Sequence, residues 1–181
     1  MNYEDIQKDL SVRTKKGVSM YYVGTVYWLL LGIIGFIQMH PKLLGLIYLI
    51  GAGMIFPLGI LVSKVMKIDL FANNNPLSTL SGVLGGMQVL FAPILIIIFM
   101  EKVEWLPFFV AVLTGAHFLP FAILYKSNAI FFLTFGVVGF ASIVGFFFME
   151  SVYLILPFGL SVIYLITTLL VNGELKKMKS V

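Results

Sequence analysis

The chain has 181 residues, 60% of them hydrophobic and 11% charged, whereas soluble domains carry about 25% charged and 45–50% apolar residues. A soluble fold of this size has too much surface for its volume to hide so much apolar material, and the net charge of +4 is gathered in short clusters between apolar runs, as a topology signal rather than a nucleic-acid surface. With no cysteine, disulfides, thiolate metal sites and cysteine nucleophiles are excluded together.

Residues 1–17 read as a polar, basic arm. Tyr3, Ile6 and Leu10 fall at i, i+3 and i+7, with Asn2 and Asp5 placed to cap, which predicts a short amphipathic helix on the inner membrane surface. Six apolar stretches follow, each with the roughly 20 residues needed to cross about 30 Å of hydrocarbon: 18–39, 43–63, 77–100, 105–125, 129–149 and 151–171, with 172–181 left as a basic tail. The first has no small-residue cleavage site behind it and reads as a retained helix, not a signal peptide. The one loop of length, 64–76, ends in Asn73, Asn74, Asn75 and Pro76, which are turn and capping residues for the third helix. Between Ala129 and Val171 the single charge is Glu150. A straight helix over that stretch would be about 65 Å long, so the chain must turn near Glu150. Trp28, Trp105 and several tyrosines lie mostly near span ends, where amphipathic rings favour the headgroup layer.

Orientation follows from the basic residues. With the N-terminus inside, Lys8, Arg13, Lys15, Lys16, Lys64, Lys67, Lys126, Lys176, Lys177 and Lys179 are cytoplasmic, and only Lys42 and Lys102 are outside. That asymmetry over short loops is the positive-inside pattern, and a five-span count would put the basic tail on the wrong side. The expected fold class is an all-α integral membrane protein: one bundle of six transmembrane helices, both termini cytoplasmic, multi-pass in the cell (cytoplasmic) membrane.

Gly82 and Gly86, with Gly85 between them, and the pair Gly136 and Gly139 are expected to let helices of the chain pack closely. FPLGILVSK around Pro57 and LPFAILYKS around Pro120 recur at an offset of 63, a faint repeat relating the first two spans to the next two.

Two polar side chains fall near the bilayer midplane, His117 and Gln88, each about 13 Å or more from a charged boundary at helical rise. Neither can face lipid cheaply, so both should point into the bundle. On consecutive antiparallel helices, they are placed to face one another. Thr25, Tyr48 and Thr114 are candidates to join them in a ligand-binding pocket, and Tyr27 and Ser142 to extend its polar lining. Pro57, Pro93 and Pro120 would break helices around the pocket and free backbone carbonyls. The competing reading is an ordinary interhelical hydrogen bond, typically worth about 0.6 kcal/mol in membranes. No carboxylate lies within a span, and HExxH, P-loop and GxSxG patterns are missing. No catalytic residue, metal ligand or cofactor is therefore assigned.

Gly115–Ala116–His117–Phe118–Leu119–Pro120 with Tyr125–Lys126–Ser127, Lys67–Ile68–Asp69 with Asn75–Pro76–Leu77–Ser78, and the leader ending Lys15–Lys16–Gly17 carry a resemblance over most of the chain. They resemble a family of small bacterial membrane proteins known only as a domain of unknown function of the 7010 type. The resemblance implies a bacterial cytoplasmic membrane protein and brings no reaction, ligand or site residue with it. The leading functional expectation is binding or translocation of a small apolar or weakly polar molecule near His117 and Gln88. The alternatives are a non-enzymatic subunit acting through a partner and, last, a lipid-modifying enzyme using His117. Expected partners are membrane lipids, a small-molecule ligand, and a second copy or another membrane protein, with no nucleic acid.

Overall fold

A computed structural model describes residues 2–179. Met1, Ser180 and Val181, the outermost residues of the expected arm and tail, lie outside the described residues, as does the side chain of Lys179. Asn2 and Asp5 form a reciprocal capping box, Asn2 Oδ1 accepting from the Asp5 N–H at 2.9 Å and Asp5 accepting from the Asn2 N–H at 3.2 Å. The box opens helix α1, Tyr3–Arg13. Of the expected stripe only Leu10 is buried, beside Gln7 and Ser11, while Ile6 is half-buried and Tyr3 is exposed, so the face turned to the bundle is more polar than the spacing suggests. Gln7 Nε2 donates to the carbonyls of Ile123 and Leu124 at 3.0 and 2.9 Å, in the last turn of the fourth span, where helix carbonyls run short of partners.

The chain reverses through Lys15, Lys16 and Gly17, all at positive φ; only Gly17 is free of the Cβ clash that this conformation carries. Six helical segments long and apolar enough to cross a membrane follow, at Lys15–Ile34, Pro41–Val65, Ser78–Glu101, Val103–Leu124, Asn128–Phe147 and Met149–Met178. The chain is a multi-pass helical membrane protein with no strand among its described residues. The first span contains α2 (Val18–Ile34) and stops short of residue 39, because Gly35 closes it and 35–39 run on as turn and loop. The second is α3 (Pro41–Val65), started by Pro41 in its first turn and by His40 accepting from the Lys42 N–H. The chain turns near Glu150 as expected, and α9 (Val152–Lys179) then continues past 171. The expected tail is thus an extension of the last helix.

The first and last spans lie side by side. Along one face of α2, Gly24, Trp28, Gly32 and Gly35 follow at helical spacing. A Cβ at Gly24 would overlap the Tyr164 ring, one at Gly32 the Phe158 ring, and one at Gly35 would come within 2.7 Å of the Tyr153 backbone carbonyl. Trp28, fully buried, sits edge-on to Tyr27 and Tyr48 at centroid distances of 4.9 and 6.3 Å. The glycines singled out in sequence behave otherwise. A Cβ at Gly82, Gly86 or Gly139 meets nothing within 4 Å, and Gly136 approaches only the Ile163 side chain. The expectation of close packing inside the chain is corrected for the third span, made of α4 (Ser78–Gly86), a 3-10 turn over Met87–Phe91, and α5 (Ala92–Glu101): none of its residues is buried. The repeat also parts company at its prolines, since α3 runs unbroken through an exposed Pro57.

At the end of the bundle that carries most of the lysines, α1 is strapped to the 66–77 loop. Arg13 donates to Asp69 at 2.5 and 2.9 Å and to the Asn73 carbonyl at 2.8 Å. Asn75 Nδ2 donates to the Ile6 carbonyl at 2.9 Å and to Asp9 at 2.8 Å, while its Oδ1 accepts from the Leu77 N–H. Lys126 beside Glu4 holds that exposed carboxyl below its usual range. Since each neutral hydrogen bond contributes about 1 kcal/mol, Asn75→Ala is expected to raise trypsin cleavage between Arg13 and Lys16 about tenfold in detergent, through local opening. An unchanged cleavage rate would show that the strap does not hold the arm.

Candidate functional site

Two consecutive spans are interrupted, each at a polar residue. In the third, Gln88 lies within the 3-10 turn between α4 and α5. In the fourth, a 3-10 turn over Val103–Trp105 leads into α6 (Leu106–His117), which ends on His117 before α7 (Leu119–Leu124) begins. The cause is the proline that follows each break. Pro93 and Pro120 offer no N–H to the carbonyls of Val89 and Ala116, and their rings press on those same carbonyls.

The interruptions open on one cavity of about 100 Å³ between the third span and the rest of the bundle. Met20 and Tyr21 of α2, Ile55 and Phe56 of α3, Leu70 and Phe71 of the strapped loop, and Tyr164 of α9 form one side. Ser81, Gly82, Gly85 and Gln88 form the other, and Thr114, His117, Phe118, Phe121 and Tyr125 the back. Among the described residues no charged side chain lines it. A mostly apolar cavity with a few convergent polar groups is the usual form of a small-molecule site.

His117 is buried, 6% exposed, with its ring against Phe118 at 4.3 Å and edge-on to Phe121 at 5.9 Å. Its Nδ1 stands 2.7 Å from the Thr114 carbonyl oxygen. A carbonyl only accepts, so the proton of this contact is on Nδ1. Gln88, half-buried, has no side-chain hydrogen bond to another of the described residues, and the Ser81 and Tyr125 hydroxyls pair at 3.2 Å.

Of the residues named from sequence, His117, Gln88 and Thr114 share this cavity. Thr25 and Tyr48 do not line it. Thr25 bonds back to the Tyr21 carbonyl at 2.8 Å and accepts from Ser161 of α9 through its own carbonyl. Tyr48 is fully buried in an aromatic cluster, 5.2 Å from the Tyr153 ring, and its carbonyl accepts from Tyr27 at 3.0 Å. Position along a helix does not tell which of its sides faces which neighbour. Ser142 is spent on its own helix, on the Val138 carbonyl. Pro93 and Pro120 shape the cavity without lining it, and Pro57 breaks nothing.

A second polar knot escaped sequence reasoning. Glu174, on the extension of α9, accepts from Lys16 Nζ at 2.7 Å, from Ser127 Oγ at 2.6 Å and from the Ala129 N–H at 3.0 Å. It thereby caps the start of α8 (Asn128–Phe147), where a negative charge is favoured. The Lys16 side chain is only 4% exposed and that of Glu174 25%. The available signal was a lone acid in a run of lysines, together with Ser127 before Asn128 as a helix start. Among the described residues no three His, Asp or Glu side chains gather to hold a metal ion.

Compared with known proteins, residues 3–174 match the model of one family, described as a family of unknown function (DUF7010). No curated protein and no solved structure matches the chain.

Proposed function

We propose that this chain, which belongs to the family of unknown function (DUF7010), binds or passes a small apolar or weakly polar molecule in the cavity behind its third span. The observation that carries the reading is His117: its ring is fixed through Nδ1 by the Thr114 carbonyl, and it lines an uncharged cavity where two helices are interrupted. Broken helices beside an intramembrane polar group are how membrane transporters build binding sites. The cavity offers no carboxylate to work with the imidazole, which favours binding or passage over lipid chemistry. The positive-inside pattern supports a cytoplasmic lysine-rich end, and the localisation proposed is the cytoplasmic membrane.

The test is mass spectrometry of small molecules extracted from the full chain purified in polymer-bounded bilayer discs. Wild type should carry one species near stoichiometry. His117→Ala, folded equally well by thermal melt, should carry about tenfold less, the usual effect of losing one buried hydrogen-bond partner. Equal occupancy in both proteins, or bulk lipid alone in both, defeats the reading. A second reading, a subunit acting through another membrane protein, is favoured by the third span, with no buried residue and open glycines at 82 and 86. Cross-linking from that span in native membranes that recovers only lipid adducts would set it aside.

A further inference from the structure

We propose that the cavity selects a neutral molecule carrying a hydroxyl group, a phenol or alcohol with an apolar tail, whose O–H donates to Nε2 of His117. This rests on the cavity being a ligand site, as argued above.

The Thr114 carbonyl, 2.7 Å from Nδ1, requires the ring proton there. A second proton would make an imidazolium. No charged side chain lines the cavity, and a buried charge without a counter-charge is costly. The ring is therefore the neutral Nδ1–H tautomer, and Nε2 can only accept. No other residue donates to Nε2 among the described residues. A ligand must bring the donor. Ketones, esters and ethers would set lone pair against lone pair, and carboxylates, phosphates and ammonium ions would arrive without a counter-charge. A hydroxyl answers both demands: it donates to Nε2, and its oxygen can accept from the Gln88 amide, which has no hydrogen-bond partner among the described residues.

The cavity, about 100 Å³, is on the scale that holds one aromatic ring or a short aliphatic segment. Phe56, Phe118 and Phe121 supply apolar walls. A longer tail would leave past Gly82 and Gly85, which have no side chain to bar it and which belong to a span with no buried residue.

The experiment uses the full chain in liposomes and three photoreactive probes with the same diazirine-bearing alkyl chain: a 4-alkylphenol, its methyl ether (acceptor only), and the 4-alkyltoluene (neither). The phenol is expected to label cavity residues such as Met20, Phe56 and Phe118 about tenfold more than either comparator, and excess unlabelled phenol should suppress it. His117→Phe should remove the advantage of the phenol. If ether or toluene labels these residues in wild type as strongly as the phenol, hydroxyl selection is wrong while the ligand site stands. If no probe labels them above the lipid-facing Phe146 and Phe147, the ligand site itself falls. The three-probe comparison on wild type decides the matter even if His117→Phe does not fold.

Discussion

Glu174→Ala is expected to lower the stability of the bundle by about 3 kcal/mol, the lower end of the range for removing one partner of a buried ion pair because part of the carboxylate is open to solvent. Three donors lose their acceptor at once: the Lys16 ammonium, the Ser127 hydroxyl and the Ala129 N–H. Lys16 is the costly one, since its side chain stays almost wholly enclosed and would hold an unpaired charge. The double change Lys16→Met with Glu174→Leu removes both charges together and should recover most of the loss, as replacing a buried pair by apolar groups usually does. Unfolding midpoints in mixed detergent–SDS micelles give the comparison. An Ala variant that unfolds with wild type would mean that water already screens the pair, and the knot would then hold nothing together.

Gly24→Leu is expected to cost about 2–3 kcal/mol of the same stability, at the upper end for overpacking, because its first side-chain carbon would come within 2.4 Å of the edge of the Tyr164 ring. Tyr164 cannot step aside: it is buried, with its ring 6.1 Å from Phe118. Gly82→Leu adds the same side chain where nothing lies within 4 Å, and should leave the midpoint within about 0.5 kcal/mol of wild type. Comparable losses at the two positions would show that any leucine perturbs these helices, and would remove the case for a seam between the first and last spans.

The contrast between those glycines also marks what the sequence could and could not say. Spans are legible because lipid imposes one demand, roughly twenty apolar residues with the backbone bonded to itself, and all six lie where the apolar runs do. Ends are less legible. Gly35 stops α2 early, and the amphipathic last turns of α9 read as a solvated tail until Glu174 finds Ser127. Lateral packing is hardly legible at all, since every face of a membrane helix is apolar and glycine spacing alone does not distinguish Gly24 and Gly32 from Gly82 and Gly86. Within the site, His117, Gln88 and Thr114 could be named because polar groups at that depth need an inward direction and because prolines follow the first two. Thr25 and Tyr48 are polar residues within spans too, but Thr25 bonds to the Tyr21 carbonyl and Tyr48 packs among aromatic rings, on faces that no residue count reveals.

The seam between α2 and α9 has a consequence for biogenesis. Ser161 donates to the Thr25 carbonyl across 136 residues of chain, and at about 5–20 residues per second the ribosome needs roughly 7–27 s to make that stretch. For that interval the first span lies in the bilayer with Gly24, Gly32 and Gly35 uncovered. Insertion order and final neighbourhood are thus opposed in this protein, with the first helix to enter completed only by the last. A chain stalled before Val152 lacks everything that α9 supplies: the rings that cover Gly24 and Gly32, and the carboxylate that answers Lys16.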